Sequence, residues 1–293
     1  MDPDASPAHR DLRARARKVA EEDVAPFAAE VDRAPRYPDE AFAAFVRTGL
    51  TGTAFPEEIG GTGLGTLGLA VAVEEAARYC ASAGLVLALT RLATAPFMLA
   101  GTDEQLARWG GPVARGATRM AFCLTEPGAG SDVAAMTSRA ERGGDGYRLT
   151  GRKSWISQYR EAGAFSVFAR TGDDGAVSCF VVPRDAPGVS LEEPEGKMGV
   201  RGVATGDVAF NPTPVPAGDR VGEEGAGFRI ALQALNATRP VIGARGAGLA
   251  EGVLEYARAY ALERRAFGGR LSDLQWVCSR WPTWRSRSRR RAC

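Results

Sequence analysis

Two short stretches concentrate the residue types that could do chemistry. CLTEPGAGSD, Cys123 to Asp132, runs from a β-like segment into a Pro-Gly-Ala-Gly-Ser turn. Its glycines would let backbone amides approach a ligand closely, and Thr125 and Ser131 add hydroxyls that donate or accept. Further along, GRKSWIS puts Trp155 and Ser157 on one face of a strand. An indole beside a hydroxyl suits a flat heteroaromatic ring. A plain surface turn and an ordinary core tryptophan account for the same residues equally well.

A third stretch is a decoy. GLGTLG, Gly63 to Gly68, matches G-x-G-x-x-G, but FPEEIGGT precedes it, with Pro56 and two acids where a buried strand would be needed. It reads as a glycine-rich loop between helices. His9 is the only histidine, so Ser–His, Cys–His and His-ligated metal chemistry are excluded. Proton transfer at carbon falls to a carboxylate, a lysine or a cofactor. The five cysteines are scattered without CxxC spacing, which argues against a metal site and for a reducing cytoplasm.

The elements that must position these groups come in three blocks. Residues 8–118 carry helical periodicity: HRDLRARARKVAEEDVAPFAAEVDR until Pro26 interrupts it, PDEAFAAFVRTGL up to a glycine, and the Ala- and Leu-rich LGLAVAVEEAARYCASAGLVLALTRLATAPFMLAG, apolar enough to lie between other helices. TDEQLARWGGPVARG opens on a Thr cap. From about Arg119, short β-rich runs separated by Gly, Pro and Asp predict an antiparallel barrel or sandwich. Helix returns near Gly225 as one long amphipathic stretch. The fold class is therefore α+β and multidomain: 1–118 helical, 119–222 an antiparallel β-barrel, 223–277 the start of an incomplete C-terminal helical bundle, and 278–293 a basic tail.

Hydrophobic residues make up 45% and charged residues 25%, the balance of a globular protein. The net charge is +2, yet residues 276–293 alone hold six arginines, so the body is acidic and offers nothing to a polyanion such as nucleic acid. No apolar run is expected to span a bilayer, and residues 1–20 are charged rather than signal-like.

Taken in order, FPEEIGGTGLG, CLTEPGAGSD, LTGRKSWIS, KMGVRGVATGDVAF, GFRIALQALNATRPVIGA and YALERRAFGGRLSDLQ resemble the acyl-CoA dehydrogenase family of flavoproteins, from residue 10 to about 277. The resemblance implies FAD, a homotetramer, an acyl-CoA or acyl-carrier thioester as substrate, and electron-transfer flavoprotein as acceptor. It implies that Phe122, Cys123, Leu124, Thr125, Gly128, Gly130 and Ser131 line the isoalloxazine, with Thr125 near the pyrimidine end. Trp155 would stack on the ring beside Ile156, and Ser157, where Thr is common, would reach N5. Arg264, Arg265, Ala266, Leu274 and Gln275 would contact the FAD of a neighbouring subunit. Ser131, Asn236, Thr238 and Arg239 would border the substrate; Asn236 replaces an acid common in medium-chain relatives.

In this family a Glu removes the pro-R α-proton while hydride leaves the β-carbon. That Glu comes from far along the C-terminal bundle or from the position of Thr238, which is not an acid. Glu251 lies roughly 20 Å further along the same helix. The chain as written is expected to hold part of a flavin site and no base, to bind FAD poorly and to lack activity. Codons compatible with 277–293, read in a shifted frame, give the helical VLALADMAVEIEAARL, so the tail is expected to be out of frame. Two other readings stay open: a flavin monooxygenase or acyl-carrier-protein dehydrogenase of the same fold, and a non-catalytic binding protein using the basic tail.

Overall fold

Capping and breaking residues set the first helices. In the computed structural model, which describes residues 6–172, 175–193 and 196–282, Ser6 accepts from the His9 amide and Pro7 opens helix α1 (Pro7–Val19). His9 sits in that first turn with Nδ1 2.9 Å from the Ser6 hydroxyl. Pro26 has no amide to give and would clash with the preceding turn, so the helix widens into a π turn (Ala20–Val24) and a 3-10 turn (Ala25–Phe27) before α2 (Ala28–Arg33). Helix α3 (Asp39–Arg47) stops before Gly49, which takes φ 72°.

The long apolar block folds as two helices, α4 (Gly65–Ala77) and α5 (Ala81–Ala100). No strand precedes the GLGTLG loop; a 3-10 turn (Glu57–Ile59) does. The expectation that no run reaches bilayer length needs correcting: α5, with 20 residues, is long and apolar enough, but two thirds of it is buried inside the fold as a core helix. The Thr102 cap forms as expected, in a capping box with Gln105 at the start of α6 (Asp103–Gln105), and a π turn leads to α7 (Gly111–Ala114).

Glu75 on α4 is 1% exposed and meets three guanidiniums: Arg13 at 2.7 Å, Arg17 at 3.1 Å and Arg78 at 3.1 Å. Burial raises its carboxyl; hydrogen bonds from Arg17 and Arg13 and the charges of Arg17 and Arg78 outweigh that and hold it below the usual range. Arg78 continues the chain of charges to Glu255 at 2.5 Å.

The middle of the chain forms β1 (Met120–Cys123), β2 (Arg139–Gly143), β3 (Gly146–Ser157), β4 (Ala164–Arg170), β5 (Val177–Pro183), β6 (Val189–Glu192), β7 (Thr205–Pro216) and β8 (Arg220–Val221). They join one sheet in the order β6-β7-β3-β2-β4-β5-β8, with β1 on β4. The sheet is mixed rather than antiparallel throughout, because β1 and β2 both lie parallel to β4. The β1–β4 pair is joined by a long excursion through the 124–131 turn, β2 and β3, which a hairpin cannot supply. Strand β4 is almost wholly buried, packed under α5, where the Ser166 hydroxyl donates to the Ala93 carbonyl at 2.6 Å.

Helix α8 (Gly227–Glu263) runs 37 residues without a break at Pro240. It lies against α4 with no room for side chains at two points: a Cβ on Gly248 would stand 2.0 Å from the Glu74 carbonyl oxygen, and one on Gly252 1.9 Å from that of Arg78. A two-stranded hairpin, β9 (Arg265–Ala266) and β10 (Gly269–Arg270), follows. Residues 275–282 are helical, so the first five residues expected to be tail continue a helix. The rest of the tail, with its out-of-frame reading, lies outside the described residues.

Replacing Glu75 by Ala strands three guanidiniums around a buried gap. The loss of stability expected in urea denaturation is about 3–5 kcal/mol; a loss under about 1 kcal/mol would mean the charges add little to helix packing.

Candidate active site

The CLTEPGAGSD turn is held from beneath by charge. Side chains of β3 alternate to Arg152, although its ladder to β7 slips once between Leu149 and Gly151, and the ladder slips again between Lys153 and Ile156. The bulge turns two consecutive side chains, Lys153 and Ser154, inward. Lys153 Nζ, with no exposed surface, donates to Glu126 Oε1 at 2.8 Å and to the Leu124 carbonyl at 3.2 Å. Glu126 also accepts from the Thr137 amide at 2.6 Å, the Thr137 hydroxyl at 2.8 Å and the Ser138 amide at 3.0 Å. The same glutamate closes the turn through paired backbone bonds with Ala129, 3.1 Å each way.

Burial alone would raise the Glu126 carboxyl. The Lys153 and Ser138 hydrogen bonds, the lysine charge and the Thr137 amide overcome it and hold the group at about 2. Burial also works against the Lys153 ammonium, and Glu126 opposes that. Each group is the other's principal compensation for burial.

The bulge also turns Trp155 outward. Its φ is +61°, a left-handed conformation that a bulky residue adopts only under constraint, and its side chain is 67% exposed. Asp207 on β7 supplies that constraint: it accepts from Arg152 Nε at 2.8 Å, the Ser154 hydroxyl at 2.9 Å and the Trp155 amide at 3.3 Å. Ser154 N donates to the Thr125 carbonyl at 2.8 Å, which sets the indole beside the turn. Gln158, also left-handed at φ +64°, ties the rim to the helices, accepting from the Tyr37 hydroxyl at 3.1 Å and donating to the Met120 carbonyl at 3.3 Å.

An exposed indole thus stands beside a glycine turn. The hydroxyls of Thr125, Ser131 and Ser157 make no hydrogen bond among the described residues. A Cβ on Gly128 or Gly130 would meet nothing within 4 Å. This arrangement offers a stacking face, donors and acceptors at the edge, and open backbone, which fits a planar ring with polar edges such as a flavin.

Phe122, half-buried with its ring 5.0 Å from Phe168, leads into the turn that holds Thr125, Gly128, Gly130 and Ser131, and the Ser154–Thr125 bond sets the Trp155–Ser157 end of β3 beside that turn. The structure turns three other expected contacts inward: Cys123 and Ile156 lie in the sheet core and Leu124 in the core shared with α5 and α8. These three can present backbone only. On α8, Thr238 is buried and its hydroxyl donates to the Ala234 carbonyl at 2.9 Å. Arg239 is hydrogen-bonded to Asn236 on the exposed face of the helix. Arg264 caps the far end of α8, about 39 Å along its axis from Thr238, and Arg265, Ala266, Leu274 and Gln275 follow outside the helix. They do not join the turn and the indole in the same chain.

Sequence reading missed Glu126, Lys153 and Asp207. An acid inside the turn and a lysine on an otherwise apolar-patterned strand were the visible signals, but their pairing spans 27 residues and needs the bulge.

Models of acyl-CoA dehydrogenase domains match the chain in three consecutive blocks: N-terminal over 6–117, middle over 121–213 and C-terminal over 225–288. A probable acyl-CoA dehydrogenase of Mycobacterium leprae, fadE25, is 37% identical over 270 residues, which is 91% of this chain and 69% of the relative. Butyryl-CoA dehydrogenase from Megasphaera elsdenii is similar in structure with a TM-score of 0.94 at 31% identity, over 99% of this chain and 78% of that one. A glutaryl-CoA dehydrogenase of Mycobacterium smegmatis in complex with FADH2 is similar with a TM-score of 0.91 at 26% identity, over 98% of this chain and 74% of that one.

Lys153→Met leaves Glu126 charged and buried, at an expected cost of about 3–5 kcal/mol in chemical denaturation, and adding Glu126→Gln should recover part of it. The depressed Glu126 value also sets a pH window. Its contribution is complete above the ordinary carboxyl value of 4.5 and is lost as pH falls through about 2. Stability measured across that window should fall less steeply in Glu126→Gln than in the unmodified protein; equal slopes would assign the acid sensitivity elsewhere.

Proposed function

Since the chain belongs to the acyl-CoA dehydrogenase family, we propose that it binds FAD against Trp155 and dehydrogenates the α and β carbons of an acyl-CoA thioester. The observation that carries this is the left-handed, outward Trp155 set among three uncommitted hydroxyls and an open glycine turn. Bound FAD would supply the acceptor for the hydride, which carries both electrons of the oxidation.

The chain's own residues bind and orient. Trp155 covers one face of the ring, with Asp207 holding the indole in place. Thr125 and Ser157 offer hydroxyls to its polar edge, and Gly128 and Gly130 leave amides accessible. Ser131, at the outer end of the turn, is shared with the thioester, whose CoA part borders Asn236 and Arg239. Arg264, Arg265, Ala266, Leu274 and Gln275, exposed or half-buried beyond the end of α8, reach the FAD of a second copy of the chain in a homotetramer. Electron-transfer flavoprotein is the acceptor in this reading.

The α-proton has no taker on α8. Thr238 spends its hydroxyl on its own helix, Glu255 is paired with Arg78, and Glu251 lies roughly 20 Å along the axis from Thr238. We assign the base to none of the described residues. Residues 1–293 are therefore expected to turn over acyl-CoA slowly, a missing base costing about 10²–10⁴-fold.

Trp155→Ala is expected to weaken FAD binding in equilibrium dialysis by at least about tenfold, given that stacking on an aromatic is worth about 1–3 kcal/mol. Trp276→Ala, also at an exposed indole, should not. Equal FAD affinity in the two variants would remove Trp155 from the site. In anaerobic mixing with acyl-CoA, Thr238→Val should bleach the flavin at the unmodified protein's rate. A hundredfold fall would make Thr238 a proton-handling residue, and oxygen activation without bleaching would turn the reading to a monooxygenase.

A further inference from the structure

Backbone strain in this protein collects at one place. Five non-glycine positions among the described residues take positive φ, and three of them, Trp155, Gln158 and Val200, lie along one rim, where β3 ends and the chain enters β7. Val200, at φ +52°, is costly because a β-branched side chain crowds its own backbone there. Such strain persists only where surrounding bonds over-determine it, and it gathers at functional sites. Asp207 accepts from the Trp155 amide, and the Gln158 amide donates to the Ala204 carbonyl at 2.7 Å. Neither bond restrains Val200.

Lys197 does. Its ammonium donates to the Val203 carbonyl at 2.9 Å, the Thr205 hydroxyl at 3.0 Å and the Val200 carbonyl at 3.1 Å. All three of its protons are spent, so the charge is clamped rather than free on a flexible stem. The clamp also fixes where that charge lies. Thr205 is the register partner of Ser157, and adjacent strands stand about 4.8 Å apart, which puts the ammonium on the order of 10 Å from the Ser157 hydroxyl.

No described acid pairs with Lys197, so its charge is not cancelled locally. The acids of the same rim, Asp207 and Glu192, share Arg152, and Glu192 is half in water, where screening is strong. Lys197 is half-buried. At such a range a partly buried charge shifts an equilibrium that creates one unit of charge by about tenfold. Flavin reduction is an equilibrium of that kind. Uptake of hydride, a proton with two electrons, leaves a neutral isoalloxazine with one negative charge.

We propose that Lys197 tunes the cofactor: its clamped ammonium holds a positive charge beside the Ser157 end of the ring and makes bound FAD easier to reduce. This rests on the FAD reading above and deepens it.

The test is a redox-dye titration of FAD bound to the full chain, with free FAD removed by gel filtration. In the unmodified protein, bound FAD should be reduced at a less negative potential than free FAD. Lys197→Gln keeps N–H donors and loses the charge. It should lower the ratio of reduced to oxidised FAD at a given dye potential by about tenfold, equivalent to about 30 mV for two electrons. Lys197→Arg keeps the charge and should stay within about threefold of the unmodified protein. An unchanged ratio in Lys197→Gln, or bound FAD no easier to reduce than free FAD, overturns the assignment and leaves FAD binding standing. A Lys197→Gln chain that no longer holds FAD overturns it too, since the residue would then serve the fold. Absence of bound FAD in the unmodified protein overturns the FAD reading itself.

Discussion

The buried pair of Lys153 and Glu126 is the interaction on which the site depends. A lysine without exposed surface is tolerable only where its charge is answered, and here the answer lies inside the turn that must be shaped. Glu126 collects the ammonium, two amides and a hydroxyl, so a segment rich in Pro and Gly, free to take many conformations by itself, has one. The pair also locks β3 in its bulged register, since a one-residue slip would carry Lys153 to the opposite face. The bulge in turn sends Trp155 outward, and Asp207 keeps it there. Turn, bulge and indole are consequences of one electrostatic constraint.

The helices give this arrangement its back wall. Glu75 gathers arginines from α1 and α4, and Arg78 extends the network to Glu255 on α8. Gly248 and Gly252 let α8 press on α4 backbone to backbone, which fixes the depth at which Thr238 stands. Tyr37 through Gln158, and Ser166 through Ala93, bind sheet to helices by hydrogen bonds rather than by apolar contact alone. A site spread over a sheet and a helix pair needs directional ties of this kind, because apolar packing tolerates sliding that hydrogen-bond geometry does not.

The same physics separates groups that sequence alone placed together. Residues 264–275 and the 122–131 turn belong to one cofactor site by resemblance, yet one rigid helix holds them tens of ångströms apart within the chain. In the homotetramer proposed above, a second copy would be where the two halves meet. The exposed Tyr256, Tyr260, Phe267 and Trp276 along that end of the molecule accord with such a meeting.

Local rules were legible in the chain: the Thr102 cap, the stop at Gly49, the β-rich runs from Arg119, and the glycine turn with its hydroxyls each follow from residue type and near neighbours. Family motifs named the indole and the hydroxyls. Periodicity could not show that Cys123, Leu124 and Ile156 face inward while Trp155 faces out, because the alternation of β3 is broken by a bulge whose cause lies 27 residues away in sequence. Nor could it show the parallel pairing of β1 and β2 with β4 or the passage of α8 through Pro240. Each depends on partners far apart in the chain: propensity and capping act within a turn or two, whereas charge compensation and strand register are decided only when distant segments meet.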